Sequence, residues 1–396
     1  MKRLLTTMMA AMLAAVAMAG NGLNPQFLKW RKMKAAGMLP QQREQTKPAQ
    51  EVDGEDAVAT QKVAPKKMKL MAAAPKAAVN AVGGDTSVEI VGLAPEAASL
   101  GYLVDLVGKP IWKPVDGYPS KFDLRDSGCV TAVRNQGLFE TCWAFASFAS
   151  LESSILVQRP ETESYTAADI DFSERHMVDN HGFDLGPKQG GSMLMAMAYL
   201  LRWGGPVGEA TSPYPAADVS EWTASSATAD PRLHVQQVRW LPGKSGSLDN
   251  DTIKESVLSL GGVFVTFYMN KSLYYNSSKA AYCCQVPKTE NNHGVTIVGW
   301  DDDYPASNFN ALLIGNGAYL CKNSYGPTFG DNGYFWVSYY DANFARSPMA
   351  VFNGCESKAN YATIYQYDPL GYTGEAHAGG SRLGKAWMAN VYTAEK

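Results

Sequence analysis

The distribution of apolar and polar positions divides the chain into stretches of different character. A largely apolar run, broken only by Thr6 and Thr7, covers residues 4–18, behind Lys2 and Arg3. Residues 20 to about 85 hold mostly Ala, Lys, Pro and Gln, too few aromatic and branched side chains to offset chain entropy. One short piece there, from Asn24 through Lys34, has the pattern of a helix start after an Asn cap. Periodic patterns set in near residue 115. Ala144, Phe148, Leu151 and Ile155 recur at spacings of 4, 3 and 4, which predicts a long helix over Cys142–Gln158. A short helix is predicted from Ser173-Glu174 to Val178. Another runs from Gly191 and is closed by Gly204-Gly205, with a Met-rich face that reads as core packing rather than a metal site. A shorter one over Asp251–Leu260 has an Asp at its start. The second half turns strand-like. Gly262–Met269, Gly294–Trp300, Ala311–Asn323 and Gly333–Tyr340 are rich in Val, Ile, Phe, Tyr and Trp and are broken by Gly, Asn and Asp turns. Helices first and strands second predict an α+β architecture of two segregated lobes, with a cleft between them as the natural substrate site. There is no internal repeat.

Composition narrows the class. The chain has 396 residues, 46% apolar and 18% charged, enough for a sizeable core. A net charge of −3 leaves no basic excess to neutralise phosphates, which argues against a dedicated nucleic-acid binder. The run 4–18 is shorter than the ~20 residues that span a bilayer. With Ala17-Met18-Ala19 as a small-x-small cleavage signal, residues 1–19 read as a secretory signal peptide, implying a secreted, extracellular or periplasmic protein. Residues 20–115 then read as a removable or flexible pro-region, or else a plain linker, and no later stretch is apolar enough to span a membrane. The six cysteines are an awkward set: if Cys142 is a free nucleophile, an odd number remains. Neighbouring Cys283 and Cys284 cannot bond each other without strain, and Cys321 sits in a strand-like run as a buried residue. No specific bridge is predicted.

Candidate chemistry centres on Cys142, where a Gly-containing loop enters the long helix. A thiol at a helix N-terminus faces unpaired N–H groups and the positive end of the dipole, which favour the nucleophilic thiolate. His293 opens an apolar strand and can act as base, and Asn323 ends another strand and can orient the imidazole. Gln136, six residues before Cys142, can offer its amide to an oxyanion beside the Cys142 N–H.

Several blocks follow in one order: Asp123-Leu-Arg, Val130-Thr-Ala-Val-Arg-Asn-Gln-Gly, Cys142-Trp-Ala-Phe, Ser173-Glu, Gly190-Gly191, Asn292-His-Gly-Val and Lys322-Asn-Ser-Tyr-Gly. In these the chain resembles the papain-like cysteine peptidases, most of all exported bacterial members, over about residues 118–355. The resemblance implies a two-lobed fold, a helical lobe and an antiparallel β-barrel-like lobe, over residues 116–358. It implies peptide hydrolysis through an acyl-enzyme, with polypeptide substrates, no cofactor and no metal. Cys142 would attack, His293 would pair with it and protonate the leaving amine, Asn323 would orient His293, and Gln136 with the Cys142 N–H would stabilise the oxyanion. In such pairs the thiol pKa falls from about 8.5 to roughly 3–4. Gly190 and Gly191 match a segment that hydrogen-bonds the substrate backbone, where missing side chains allow close approach. Met193, Val265 and Gly294 fall near the main specificity pocket and imply an apolar preference. Tyr325, also on the substrate side, replaces the usual Trp that shields the Asn–His hydrogen bond. The pro-region would inhibit in cis.

The chain departs from the family pattern elsewhere. Where many members have Cys-Gly-Ser-Cys it has Phe139-Glu-Thr-Cys142, and the usual partner cysteine is replaced in the Lys188-Gln189 stretch. Both ends of that bridge are missing together. Glu140 puts a carboxylate beside the loop, either solvated or able to hold a basic substrate side chain. Asp301-Asp-Asp reads as a solvated turn, Gly243-Lys-Ser-Gly lacks the upstream glycine of a P-loop, and the glycosylation-like strings at Asn250 and Asn276 carry no weight in a bacterial chain. Residues 359–396 resemble the opening of a lectin-like β-sandwich module but are too few to close one. Two rival functions remain: a catalytically silent relative used for binding, such as a surface adhesin, and another thiol acyl-transfer enzyme such as an amidase or transglutaminase.

Overall fold

The computed structural model describes residues 117–159, 166–225 and 231–364. Residues 1–116, which hold the apolar N-terminal run and the expected pro-region 20–115, and residues 365–396 lie outside them.

A short strand β1 (Lys121–Asp123) comes before the first helix, so the order is not strictly helices then strands. Helix α1 (Cys142–Gln158) starts where its pattern predicts, but its apolar stripe is not what it buries: all of its residues except Ile155 and Gln158 are buried. It packs against strands on one hand and other helices on the other, so its serines must be satisfied inside the protein. Ser150 Oγ donates to the Gly262 carbonyl at 2.6 Å, and Ser147 Oγ to the Trp143 carbonyl at 2.7 Å. Helix α2 (Glu174–Asn180) is capped by Ser173, whose hydroxyl accepts the His176 N–H. Helix α3 (Met193–Leu201) buries Met193, Met195 and Met197, as core packing requires. It stops before Gly204-Gly205: Trp203 takes the left-handed turn (φ 60°), and its indole stacks on the His234 imidazole at 3.7 Å. That contact offsets the cost of a non-glycine residue there.

Beyond these lie β2 (Leu233–Leu241), α4 (Asp251–Ser259), β3 (Val263–Phe267), α5 (Lys271–Tyr274), β4 (Tyr275–Asn276), β5 (Ala281–Tyr282), β6 (His293–Asp301), β7 (Ala318–Lys322), β8 (Tyr334–Ser338) and β9 (Met349–Ser357). They form one sheet in the order β2-β9-β3-β6-β7-β8-β5-β4, with β1 on β6. All pairings are antiparallel except β5 with β8. The helical segment with its adjoining sheet is the α+β arrangement the sequence predicts. The longest pairing, Leu233↔Ser357 through Leu241↔Met349, joins β2 and β9, neither of which the pattern reveals.

Two further expectations are corrected. The strand predicted over 311–323 begins only at Ala318: Gly317 has φ 111°, and its N–H bonds the Tyr304 carbonyl at 2.9 Å. The turn before it leaves Leu312 and Ile314 93% and 92% exposed. The acidic turn is not simply solvated either. Asp301 pairs with Lys121 at 3.2 Å and Asp302 holds the buried Lys254 at 2.6 Å, so Asp303 alone of the three is exposed.

Between the helices and the sheet lies a buried polar chain that ends next to Asn323. Lys322 Nζ donates to Thr131 Oγ1 at 2.8 Å, Thr131 Oγ1 donates to Glu152 Oε2 at 2.5 Å, and Glu152 Oε1 accepts the Phe172 N–H at 3.0 Å. Burial pushes the Glu152 carboxyl up and the Lys322 ammonium down, and each charge opposes the other's shift. Breaking one half of such a pair is worse than removing both. Lys322→Met is therefore expected to lower the unfolding free energy by about 3–5 kcal/mol, and adding Glu152→Gln to restore most of it. Denaturant titration of the single and double variants measures this; equal losses in the two would contradict it.

Candidate active site

Cys142 is the first residue of α1, so its side chain lies at the positive end of the helix. The thiol is buried, and its Sγ accepts the Gly294 N–H at 3.4 Å. This contact ties the helix start to the start of β6, where His293 is the first residue. His293 is fully buried beside Phe267, its partner across β3 and β6, with the Tyr325 ring stacked on it at 4.9 Å and 22°.

Asn323 follows directly on β7, and its backbone N–H bonds the Gly333 carbonyl at 3.0 Å. Its Oδ1 accepts the Ser324 N–H at 2.9 Å and meets His293 Nε2 at 2.9 Å. A backbone N–H can only donate, so the Asn323 oxygen must be the atom in that place. His293 Nε2 therefore carries a proton, and in the neutral ring Nδ1 is the basic nitrogen. Among the described residues Nδ1 has no hydrogen-bond partner.

Burial pushes the His293 imidazole down to about 4; the Asn323 hydrogen bond opposes this and the Lys271 charge adds to it. By itself this pocket holds a neutral histidine at pH 7. A negative charge beside the ring would favour its protonated form.

Gln136 is held from three sides. Its N–H bonds the Ser324 carbonyl at 2.8 Å, its Oε1 accepts Ser324 Oγ–H at 2.7 Å, and its Nε2 donates to the Phe139 carbonyl at 2.7 Å. The amide has a second N–H, which is the donor left for an oxyanion. Ser324 thus orients Gln136 as Asn323 orients His293. The sequence contains Ser324 inside a recognised block but gives no hint of this contact.

The substrate-side residues separate on inspection. The space a Gly191 side chain would need is filled by the Trp143 indole, 2.2 Å from an ideal Cβ. Any side chain at Gly191 would therefore collide with Trp143. Gly190 is in the left-handed region at φ 69°. Met193 and Val265 lie in the hydrophobic core, whereas Gly294 touches Cys142 through its backbone. Glu140 is half-buried, burial raises its carboxyl, and its N–H bonds the Pro187 carbonyl at 2.8 Å.

All six cysteines are free thiols. The two positions lacking the expected bridge nevertheless lie together. Phe139 is fully buried, meets Trp222 edge-on at 4.9 Å and has the Lys188 ammonium 5.8 Å from its ring centroid. Aromatic packing occupies the place of the covalent link.

One titration isolates the electrostatics. In Cys142→Ala no thiolate remains, and His293 is expected to titrate near pH 4, as burial alone dictates. With Cys142 intact it should titrate at higher pH. NMR of the imidazole ring protons reads both; a His293 in Cys142→Ala still protonated above pH 6 would contradict this balance.

The comparisons with known proteins agree with this geometry. The family described as papain family cysteine protease matches residues 118–353. Cathepsin S of Mus musculus is 30% identical over 227 residues, covering 57% of this chain and 60% of that protein. Cathepsin S of Bos taurus is 28% identical over 233 residues, covering 58% and 63%. The chain thus spans less than two thirds of the length of these relatives. Among solved structures, the clostridial cysteine protease Cwp84 after propeptide cleavage superimposes with a TM-score of 0.52 at 28% identity, over 60% of this chain and 59% of that one. The cysteine protease and lectin-like domains of Cwp84, a surface layer associated protein of Clostridium difficile, give 0.53 at 26% identity, over 67% and 61%. With its matched region enclosing Gln136, Cys142, His293 and Asn323, the chain belongs to the papain family of cysteine proteases.

Proposed function

We propose that the chain is an exported cysteine endopeptidase made as a zymogen, with Cys142 as nucleophile, His293 as acid and base, and Asn323 and Gln136 as their supports. The observation that carries this is the His293 Nε2–Asn323 Oδ1 hydrogen bond. It leaves a buried, basic Nδ1 on the residue adjoining the one whose N–H touches the Cys142 sulfur.

The steps follow from these atoms. The Cys142 Sγ proton passes to His293 Nδ1, giving thiolate and imidazolium. The sulfur attacks the peptide carbonyl carbon, and the oxygen takes up the negative charge between the Cys142 N–H and the second Gln136 N–H. As the C–N bond breaks, His293 Nδ1 returns its proton to the leaving amine, and a thioester remains on Cys142. Water, deprotonated by the now neutral Nδ1, releases the acid. Met193, Val265 and Gly294 are proposed to give an apolar preference next to the scissile bond, and Tyr325 to keep water from the His293–Asn323 hydrogen bond.

Residues 1–19 are proposed as the signal peptide, 20–115 as the pro-region, 116–358 as the peptidase and 359–396 as the start of a lectin-like module. The propeptide cleavage and lectin-like domain of Cwp84 support this division. Among the described residues no helix is long and apolar enough to cross a membrane.

The test is hydrolysis of a denatured protein after removal of the pro-region. Cys142→Ala is expected to lose activity by at least about a thousandfold, and Asn323→Ala to lose about tenfold or more in kcat with little change in KM. A wild type that cuts nothing in its processed form, or a Cys142→Ala variant that cuts as well, sinks the proposal.

A further inference from the structure

The stretch 209–225 contains no helix or strand, yet it braces the nucleophile loop along its length. Glu209 pairs with Arg134. An ideal Cβ on Gly137 would sit 2.8 Å from the Ala217 carbonyl oxygen, so the two backbones run in contact. The Tyr214 ring meets Phe145 edge-on at 4.8 Å and Trp222 at 5.5 Å, and Trp222 meets Phe139. The Tyr214 hydroxyl lies at the centre, 3.0 Å from the Gln136 carbonyl and 2.6 Å from Thr141 Oγ1.

Counting protons fixes the direction of both bonds. A phenol has one proton and the Gln136 carbonyl can only accept, so Tyr214 donates there. Thr141 must then donate its hydroxyl proton to the Tyr214 oxygen. Burial pushes the Tyr214 phenol above its ordinary range, so it keeps its proton at neutral pH.

Thr141 is also the N-cap of α1, where a threonine hydroxyl ordinarily accepts an N–H of the first turn. Here it makes no such bond. The Thr141 carbonyl takes the Ala144 and Phe145 N–H groups at 2.9 and 3.4 Å, while the hydroxyl is turned to Tyr214. A capping hydroxyl would spend part of the positive end of the helix that the Cys142 sulfur and an oxyanion need. The same phenol anchors the main chain of Gln136, whose amide is the side-chain donor of the oxyanion site.

We propose that Tyr214 is a positioning residue for the reaction at Cys142, its hydroxyl holding Thr141 off the helix end while fixing Gln136. This rests on the peptidase reading above. It gives a catalytic consequence to a segment in which neither composition nor periodicity signals one.

Tyr214→Phe keeps the ring contacts and removes only the hydroxyl. In the full chain after pro-region removal, kcat on a peptide substrate is expected to fall about tenfold with KM within about twofold. The pH profile of Cys142 alkylation by iodoacetamide is expected to move to higher pH. Of the titratable groups around the site, His293 on β6, Lys271, which acts on His293, Glu140 on the loop before Cys142, and Tyr214, only the Tyr214 hydroxyl is altered. Thr141→Val should reproduce both effects and Thr141→Ser should not. A Tyr214→Phe enzyme with wild-type kcat and an unshifted alkylation profile overturns the proposal, as does one whose only change is a lower melting temperature. Alkylation reads the thiol directly, so this arm decides the role of Tyr214 even if the wild type hydrolyses nothing, a result that would sink the peptidase reading separately.

Discussion

The start of α1 must stay against the start of β6, and the contact that records this is the Gly294 N–H on the Cys142 sulfur. Neither residue is near the other in sequence. Their meeting depends on a buried helix laid along a sheet and clipped to it by polar side chains. Thr296 Oγ1 donates to the Ala146 carbonyl at 2.9 Å, one turn into α1 and three residues beyond His293. Further along, Ser150 Oγ bonds Gly262 and accepts the Phe352 N–H at 3.2 Å, bringing β9 into the same seam. These bonds are directional, so they fix how far the helix slides along the sheet as well as its distance from it. For a sulfur and an imidazole proposed to exchange a proton, that placement is the requirement.

Burial then decides the electrostatics. The His293 ring lies between Phe267 and Tyr325, where a lone imidazolium is penalised, and its remaining support is one hydrogen bond to Asn323. The site therefore favours the neutral ring unless a negative charge lies beside it. Behind it, Lys322 and Glu152, bridged by the Thr131 hydroxyl, form a buried polar chain one residue from Asn323. In front, the loop carrying Gln136 is held by Phe139, Trp222 and Tyr214. A brace of aromatic rings and hydroxyls is insensitive to reduction, and its hydrogen bonds can position donors in a way an S–S bond cannot.

Much of the site was legible because its residues sit at element ends, which sequence marks well. Cys142 follows a glycine-bearing loop and begins a periodic run; His293 and Asn323 flank apolar strand segments. What escaped were features without local periodicity. In β2 the alternation breaks at Gln236-Gln237, and β9 turns polar at Asn353, so the longest pairing in the sheet left no pattern. Past the end of α3 the Gly204 N–H bonds the Tyr199 carbonyl, as the glycine stop predicts, but the left-handed turn falls on Trp203, held by its stack on His234. Gly191 is legible as a place of close approach, and the structure adds that the Trp143 indole fills the space of its side chain. Tyr214 lies among Pro, Ala and Ser with no pattern at all, and its role exists only through contacts with residues some 70 positions upstream.

The central claim is that one of six free thiols is set apart by its surroundings. Cys321 and Cys283 are raised by burial and Cys355 is pushed up to about 12 by the same cause, which leaves them poor nucleophiles near neutral pH. The most direct measurement is peptide mapping after treatment of the folded, pro-region-free protein with an epoxide-type inactivator of cysteine peptidases. The account predicts one adduct per chain, on Cys142, with its rate of formation strongly reduced in His293→Ala. An adduct on another cysteine, or unmodified Cys142 in protein shown to be folded, would contradict it.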